Sequence, residues 1–287
     1  MVDVSATFPL FLGYDRDPRV QTFLNIAKFQ NMLLNERSFD GLFCDVSSSN
    51  RFDLYYNQRF SDDPVFNHAV IDDALLESID ELDEESLHLL LYEVKSEAIR
   101  RNVPPTIFVE RFWNISRRLE KGAIEDGYVI GGVMDILSKE VKTDSDYLSK
   151  DQGDVIETRD VGLWNEIFMR SYSINPAWES ELIRRERLFS NDKNTALFLA
   201  REKNEAAGCM LLHKIPDDFV GIYCLGTLPK MRNRGIAKLL MKTAEGYASR
   251  IGSKYLTLQT VASDGVTPMY EKMGFKVEFE RDVLQLP

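Results

Sequence analysis

Read for its alternation of apolar and polar positions, the chain is regular in its second half and uneven in its first. Val161 to Tyr172 carries apolar side chains at helical spacing, and Ala177 to Phe189 repeats that spacing with charges gathered on one side. Thr195 to Arg201 predicts a strand, Lys203-Asn204-Glu205 a turn, and Ala206 to His213 the partner strand. Pro216-Asp217-Asp218 makes another turn, and Val220 to Thr227 is an apolar strand running to Pro229. Gly235 to Ile251 places Ile236, Leu239, Leu240, Ala244, Tyr247, Ala248 and Ile251 on one stripe, with Gly252 where a helix stop belongs. Tyr255 to Thr260 returns as a strand, Thr267 to Met273 is a short helix, and Phe275–Phe279 with Arg281–Leu286 are closing strands. This order predicts an α/β arrangement around a mixed sheet.

The first half gives fewer signals. Phe23 to Asn35 and Ser86 to Arg101 predict helices, and Asp53–Tyr56 and Thr106–Glu110 predict strands, the latter set off by Pro104-Pro105. Ser138 to Gly153 is polar, charged and poor in large apolar residues. It predicts an interdomain linker, dividing the chain into 1–140, a linker 141–154, and 155–287. One internal echo crosses that division: Leu119-Glu120-Lys121-Gly122-Ala123-Ile124 can be laid over Tyr270-Glu271-Lys272-Met273-Gly274-Phe275 with the glycine displaced by one place. A diverged duplication would produce it.

Charge changes this picture more than composition does. The net charge of -11 over 287 residues arises in residues 1–150, which hold 27 acidic and 16 basic side chains, whereas 151–287 hold 19 of each. An acidic first half argues against nucleic-acid binding and suits a cationic partner, although the run Asp72 to Glu85 also reads as a solvated helix face. No stretch reaches the ~20 apolar residues of a membrane span, and the start lacks a secretory layout, so a cytoplasmic protein is expected. Cys44, Cys209 and Cys224 are scattered among apolar neighbours, and His68, His88 and His213 are equally dispersed. Buried thiols and no metal site are the expectation.

The chemistry is concentrated after Thr227. Between Asp218 and Glu245 there is no acid, while Lys230, Arg232, Arg234, Lys238 and Lys242 supply five cations. Gly235 permits positive φ and close backbone approach, so the turn into the helix can aim several amides at one anion. Thr227-x-Pro229 followed by Arg232-x-x-Gly235-x-Ala237 resembles the cofactor motif of the GNAT superfamily of N-acetyltransferases. The helix length, the strand Tyr255–Gln259 and the close Met269-Tyr270-Glu271-Lys272-Met273-Gly274-Phe275 extend the resemblance over roughly residues 155 to 287.

That resemblance implies the GNAT fold, a mixed and mostly antiparallel twisted sheet flanked by helices, with two tandem GNAT-like domains if the first half is a degenerate repeat. It implies an acetyl-CoA-dependent acyltransferase without a metal. The amides of Arg232, Asn233, Arg234, Gly235, Ile236 and Ala237 would hold the diphosphate, and the strand edge at Leu225 and Thr227 would pair with the pantetheine arm. A main-chain amide of that strand would steady the oxyanion. Tyr270 would protonate the departing thiolate.

Many members place a glutamate in the strand before the loop; here Gly221-Ile222-Tyr223-Cys224-Leu225-Gly226 holds no carboxylate. Glu157 or Glu166 are candidate bases, Tyr223 a weaker candidate for orienting the amine, and a neutral amine needs none. Cys224 raises an acyl-cysteine route, against which a core role is preferred. Asp53, Tyr55, Tyr56 and Trp113 are candidate acceptor contacts from the first half. The acceptor expected is a small-molecule amine or amino acid, with no nucleic acid or membrane partner and the chain a monomer or homodimer. An acetyl-CoA-binding module without turnover and a transferase acting on protein lysines or N-termini are the alternatives.

Overall fold

The computed structural model describes residues 18–61, 63–72, 75, 82–111, 116–142, 154–216 and 218–287. Trp113 and most of the expected linker, 143–153, lie outside the described residues.

Helix α1 (Pro18–Phe43) leads into strands β1 (Asp45–Ser48), β2 (Phe52–Tyr56) and β3 (His68–Ile71). Helix α2 (Glu84–Arg100), strand β4 (Thr106–Glu110), helix α3 (Ser116–Glu125) and strand β5 (Val129–Glu140) follow. The second half runs β6 (Val155–Thr158), α4 (Val161–Tyr172), α5 (Glu179–Phe189), β7 (Thr195–Glu202), β8 (Glu205–His213), β9 (Phe219–Thr227), α6 (Ile236–Arg250), β10 (Tyr255–Val261), α7 (Thr267–Lys272) and β11 (Lys276–Gln285). Most second-half elements fall within a few residues of the pattern-based expectation, because their apolar stripes match their periods; the edge strand β6 was not expected.

All of these strands form one mixed, mostly antiparallel 11-stranded sheet in the order β1-β2-β3-β4-β11-β5-β10-β9-β8-β7-β6. The order has a centre. β5 and β11 pair antiparallel with each other, β11 then meets β4 and β5 meets β10, and each half holds one parallel pair, β3 with β4 and β9 with β10. The last strand of each half is thereby inserted beside the other half's strands. Two expectations are corrected here. Ser138 to Glu140 belong to β5 and are not linker, and the two closing strands are one strand, whose register slips between Val277 and Phe279 and between Val283 and Leu284. Such bulges break the apolar alternation that sequence reading relies on.

The internal echo is real in the fold but one helical turn out of register. Amide Tyr128 donates to Ala123 O and Gly127 to Ile124 O; Phe275 donates to Tyr270 O and Gly274 to Glu271 O. Gly127 (φ 91°) and Gly274 (φ 90°) are thus the equivalent helix ends, and Ala123, not Leu119, corresponds to Tyr270. Gly122 sits inside α3, where a Cβ would stand 2.7 Å from Leu87.

Side chains alternate between two faces. Leu197, Leu199, Cys209 and Leu211 pack under α4 and α5 together with Phe39 and Phe43 of α1; Ala196, Phe198, Met210 and Leu212 face α6. Met32 and Leu33 of α1 lie over Phe108, Met134, Ile136 and Phe279, at the junction of the halves. Two polar devices fix α1 there. Asn35 is fully buried, donates to His213 O (3.1 Å) and Ile215 O (2.6 Å), and accepts from Tyr223 Oη (2.7 Å). Arg281 of β11, 2% exposed, pairs with Glu36 of α1 (2.5 Å) and Glu110 of β4 (3.1 Å) and lies over the Phe108 ring. Burial opposes its charge, and the two carboxylates more than offset that, keeping the guanidinium ionised.

Among the described residues no helix is long and apolar enough to cross a membrane, and no group of three or more His, Cys, Asp or Glu could hold a metal ion. His213 is held by Ser38 and Thr195 and pushed down to about 4 by burial. His68 stacks against Phe108, and His88 meets Asp126 on the surface.

Candidate active site

Strands β9 and β10 run parallel for three residue pairs, Phe219–Tyr255, Val220–Leu256 and Gly221–Thr257, and then part. Beyond that point β9 presents one edge to open space. Its path is bent by a bulge: Met210 of β8 stands opposite two residues, Cys224 and Leu225, and Cys224 adopts φ 51°. A non-glycine residue held there is strained by about 1–3 kcal/mol and persists because its surroundings impose it. Trp164 Nε1 donates to Met210 O (3.2 Å), and Cys209 Sγ donates to Cys224 O (3.4 Å). Such a bulge re-aims backbone groups into the opening.

The loop that follows is open. Asn233 (φ 62°) and Gly235 (φ 85°) take left-handed conformations, and Gly235 caps α6 without a side-chain acceptor. A Cβ built on Gly235 would meet nothing within 4 Å. The uncapped start of the 15-residue helix borders the open cleft through Gly235, Ile236 and Ala237, a place where helix N-termini can bind anions. The cations are not equally free. Arg232 turns back, donating to Ser171 O (2.9 Å) and Thr227 O (3.4 Å), and so pins the loop to the end of α4. Arg234 pairs with Glu202 (2.9 Å). Lys238 lines the cleft, with no carboxylate partner among the described residues.

The cleft between the parted strands measures about 860 Å³ and is lined by Leu225, Thr227, Arg232, Asn233, Gly235, Ile236, Ala237 and Tyr270, among others. Of the residues expected to hold the cosubstrate or donate the proton, Arg234 alone does not line it. Tyr270 of α7 also lines an adjoining pocket of about 480 Å³ on the far side of the bulge. Its ring sets its edge against Phe275, with centroids 6.1 Å apart, and its hydroxyl has no hydrogen-bond partner among the described residues. Burial pushes that phenol up to about 12, which keeps it protonated at neutral pH.

The adjoining pocket joins the two halves. Phe39, Phe43, Asp63, Val65 and Phe66 come from the first; Phe168, Tyr172, Trp178, Tyr223 and Leu225 from the second. Tyr172, which sequence reading passed over, donates from its hydroxyl to Leu225 O (2.8 Å). Asp63 was equally invisible, since nothing in its local sequence marks it until the pocket brings it together with residues of α1 and β9.

Several sequence candidates lie elsewhere. Glu157 is on the exposed edge strand β6, and Glu166 pairs with Arg170 on the outer face of α4 (2.7 Å). Neither lines the pocket. Tyr223 offers the pocket its ring only: its hydroxyl is taken by Asn35 and its face lies on Phe39, 3.6 Å between centroids. Asp53 sits in the β2 ladder, Tyr55 is buried against His68, and Tyr56 lies under Arg101, so none of the three faces the cleft or pocket. Burial pushes the Cys224 thiol well up, with neighbouring Cys209 acting in the same direction, which disfavours a nucleophilic thiolate.

Residues 162–275 match the model of the acetyltransferase (GNAT) family. No curated protein matches the chain. Among solved structures it is similar to a GCN5-related N-acetyltransferase from Kribbella flavida, with a TM-score of 0.62 at 14% identity over 92% of this chain and 94% of that one. It is similar to another from Sphaerobacter thermophilus (TM-score 0.58, 12% identity, 83% and 81% covered). A third neighbour is a tandem GNAT protein from the clavulanic acid biosynthesis pathway (TM-score 0.54, 10% identity, 82% and 77% covered). At such identities the likeness is one of fold, and that fold is the GNAT fold.

Proposed function

With a GNAT acetyltransferase domain at residues 162–275 as the premise, we propose that the chain transfers the acetyl group of acetyl-CoA to a primary amine by direct attack. One observation carries the reading: the open glycine-capped start of α6, the bulged edge of β9 and the unpartnered hydroxyl of Tyr270 all border a single cleft. The residues fit the cosubstrate. Backbone amides from Arg232 to Ala237 have the space and polarity to hold its diphosphate, and the free edge at Leu225 to Thr227 can pair with the pantetheine amides.

An amine entering from the adjoining pocket attacks the thioester carbonyl beside the bulge. A β9 amide re-aimed by the bulge stabilises the oxyanion. As the C–S bond breaks, the Tyr270 hydroxyl gives its proton to sulfur; a placed acid of this kind is worth about 10²–10⁴ in rate. Direct transfer is favoured over an acyl-cysteine route because the Cys224 thiol is held protonated.

The first half is read as a degenerate copy of the same unit. It lacks the glycine loop and holds Ala123 where the second half holds Tyr270, so its contribution is to wall the acceptor pocket. Calorimetry with acetyl-CoA, followed by CoA release over an amine panel, tests the proposal. Tight binding without release for any amine would make the chain a binding module instead.

A further inference from the structure

The acceptor pocket carries information about the amine itself, and the inference rests on the transfer reading above. Its walls are aromatic. Phe39 lies flat on Tyr223, and Phe66 stands edge-on to Trp178 with centroids 6.4 Å apart and planes at 90°. Phe168 and Tyr172 close the side nearest the bulge, 5.4 Å apart. Rings so braced against one another favour a flat apolar body and, through their faces, a cation.

Among the described residues one charged side chain lines this pocket, Asp63 of the first half; no lysine, arginine or histidine does. Its loop is built rather than loose. Asp63 Oδ1 accepts from the Val65 amide (2.9 Å), and Asn67, 1% exposed, donates to the main-chain oxygens of Asp63 (3.1 Å) and Phe60 (2.7 Å) while accepting from the Asn57 amide (2.9 Å). Asp63 Oδ2 has no partner among the described residues. Burial raises the Asp63 carboxyl, as befits a group that takes up a proton.

We propose that the acceptor is a primary amine on an aromatic or similarly flat apolar body lacking a carboxylate, and that Asp63 receives its ammonium. An acceptor bearing its own carboxylate, as a free amino acid does, would meet Asp63 without any counter-charge, a like-charge penalty that works as exclusion. The proton balance closes. The ammonium gives one proton to the Asp63 carboxylate, and the neutral nitrogen forms the C–N bond. The C–S bond breaks with the electron pair going to sulfur, which takes the Tyr270 proton. The second nitrogen proton replaces the one Tyr270 gave, and Asp63 releases its own to solvent.

The test uses the full chain with three probes: 2-phenylethylamine, phenylalanine, which adds a carboxylate to the same body, and a lysine-containing peptide. Following CoA thiol release, 2-phenylethylamine should exceed phenylalanine in kcat/KM by at least about tenfold, and Asp63→Asn should raise its KM by about ten- to a hundredfold. Asp63→Glu should recover part of that loss. Acetyl-CoA affinity by calorimetry should stay within about twofold in both variants, because Asp63 lies across the bulge from the diphosphate loop. Preference for phenylalanine or for the peptide, or unaltered kinetics in Asp63→Asn, overturns the inference while leaving acetyl transfer standing. Absence of heat from acetyl-CoA with the wild-type chain brings down the transfer reading, and this inference with it.

Discussion

Helix α2 of the first half and helix α6 of the second occupy corresponding places, each linking the two parallel strands of its half, and their first turns are opposite in character. Asp83 caps α2, its carboxylate accepting from the Ser86 amide (2.7 Å), and Glu84 and Glu85 follow. Gly235 opens α6 with no capping side chain and no acid in the first turn. A carboxylate cap satisfies the amides and repels phosphate, while the bare cap leaves them available. The same contrast recurs at the next helix, where buried Ala123 in α3 stands at the place of Tyr270 in α7. Under the proposed reading, the two halves differ chiefly in a helix cap and one phenol.

The sharpest way to break this contrast is Tyr270→Phe, which should lower kcat by about 10²–10⁴ with acetyl-CoA affinity little changed; unaltered turnover would remove the main functional difference between the halves. Next comes Arg281→Leu, which leaves Glu36 and Glu110 buried without their cation and should destabilise the fold by about 3–5 kcal/mol. Because β11 lies between strands of the first half, denaturant unfolding should remain one transition; two separate transitions would show that the halves stand independently.

Asn35→Leu removes the three hydrogen bonds tying α1 to β8, the loop after it and β9 and should cost about 2 kcal/mol; the proposed acceptor pocket, walled by the same helix, should loosen and raise the amine KM. The smallest effect concerns Glu186, fully buried in α5, with both carboxyl oxygens unpartnered among the described residues and its carboxyl pushed up to about 8 by burial. Its native-state proton is one the unfolded chain gives up near its ordinary value of 4.5, so its contribution to stability should fall as pH rises from about 4.5 to about 8, opposed below about 6.5 by His213, whose lowered pKa works the other way. Glu186→Gln should abolish that slope, a difference of about 1.4 kcal/mol between pH 6 and pH 7 in chemical denaturation. A Glu186→Gln chain whose pH dependence matches the wild type would show that the carboxyl finds a partner in solution.

The sequence made most second-half elements readable because each depends on local spacing, and it pointed to the glycine loop and Tyr270 that line one cleft; the edge strand β6 gave no signal of its own. The sequence hid what depends on pairing across the chain. The end of β5 reads as linker because Ser138, Lys139 and Glu140 are polar. The partners of Ser138 and Lys139, namely Glu278, Glu245 and the Met273 carbonyl, come from far along the chain. Asp63 gives no signal of its own, since its significance comes from the rings gathered round it. The duplication could be noticed but not aligned, because the glycines that mark equivalent helix ends are identified by positive φ, which a string of letters does not display.

Insertion of β5 between β11 and β10 also bears on how the molecule is made. When β5 leaves the ribosome, the strands that will flank it on either side have not been synthesised, so its long ladder edges must wait unpaired. Such delayed, non-local pairing slows folding and leaves nascent chains prone to sticking together. The N-terminal segment would then depend on completion of the whole polypeptide to reach its final form, and a cell short of chaperones would be expected to yield this protein poorly.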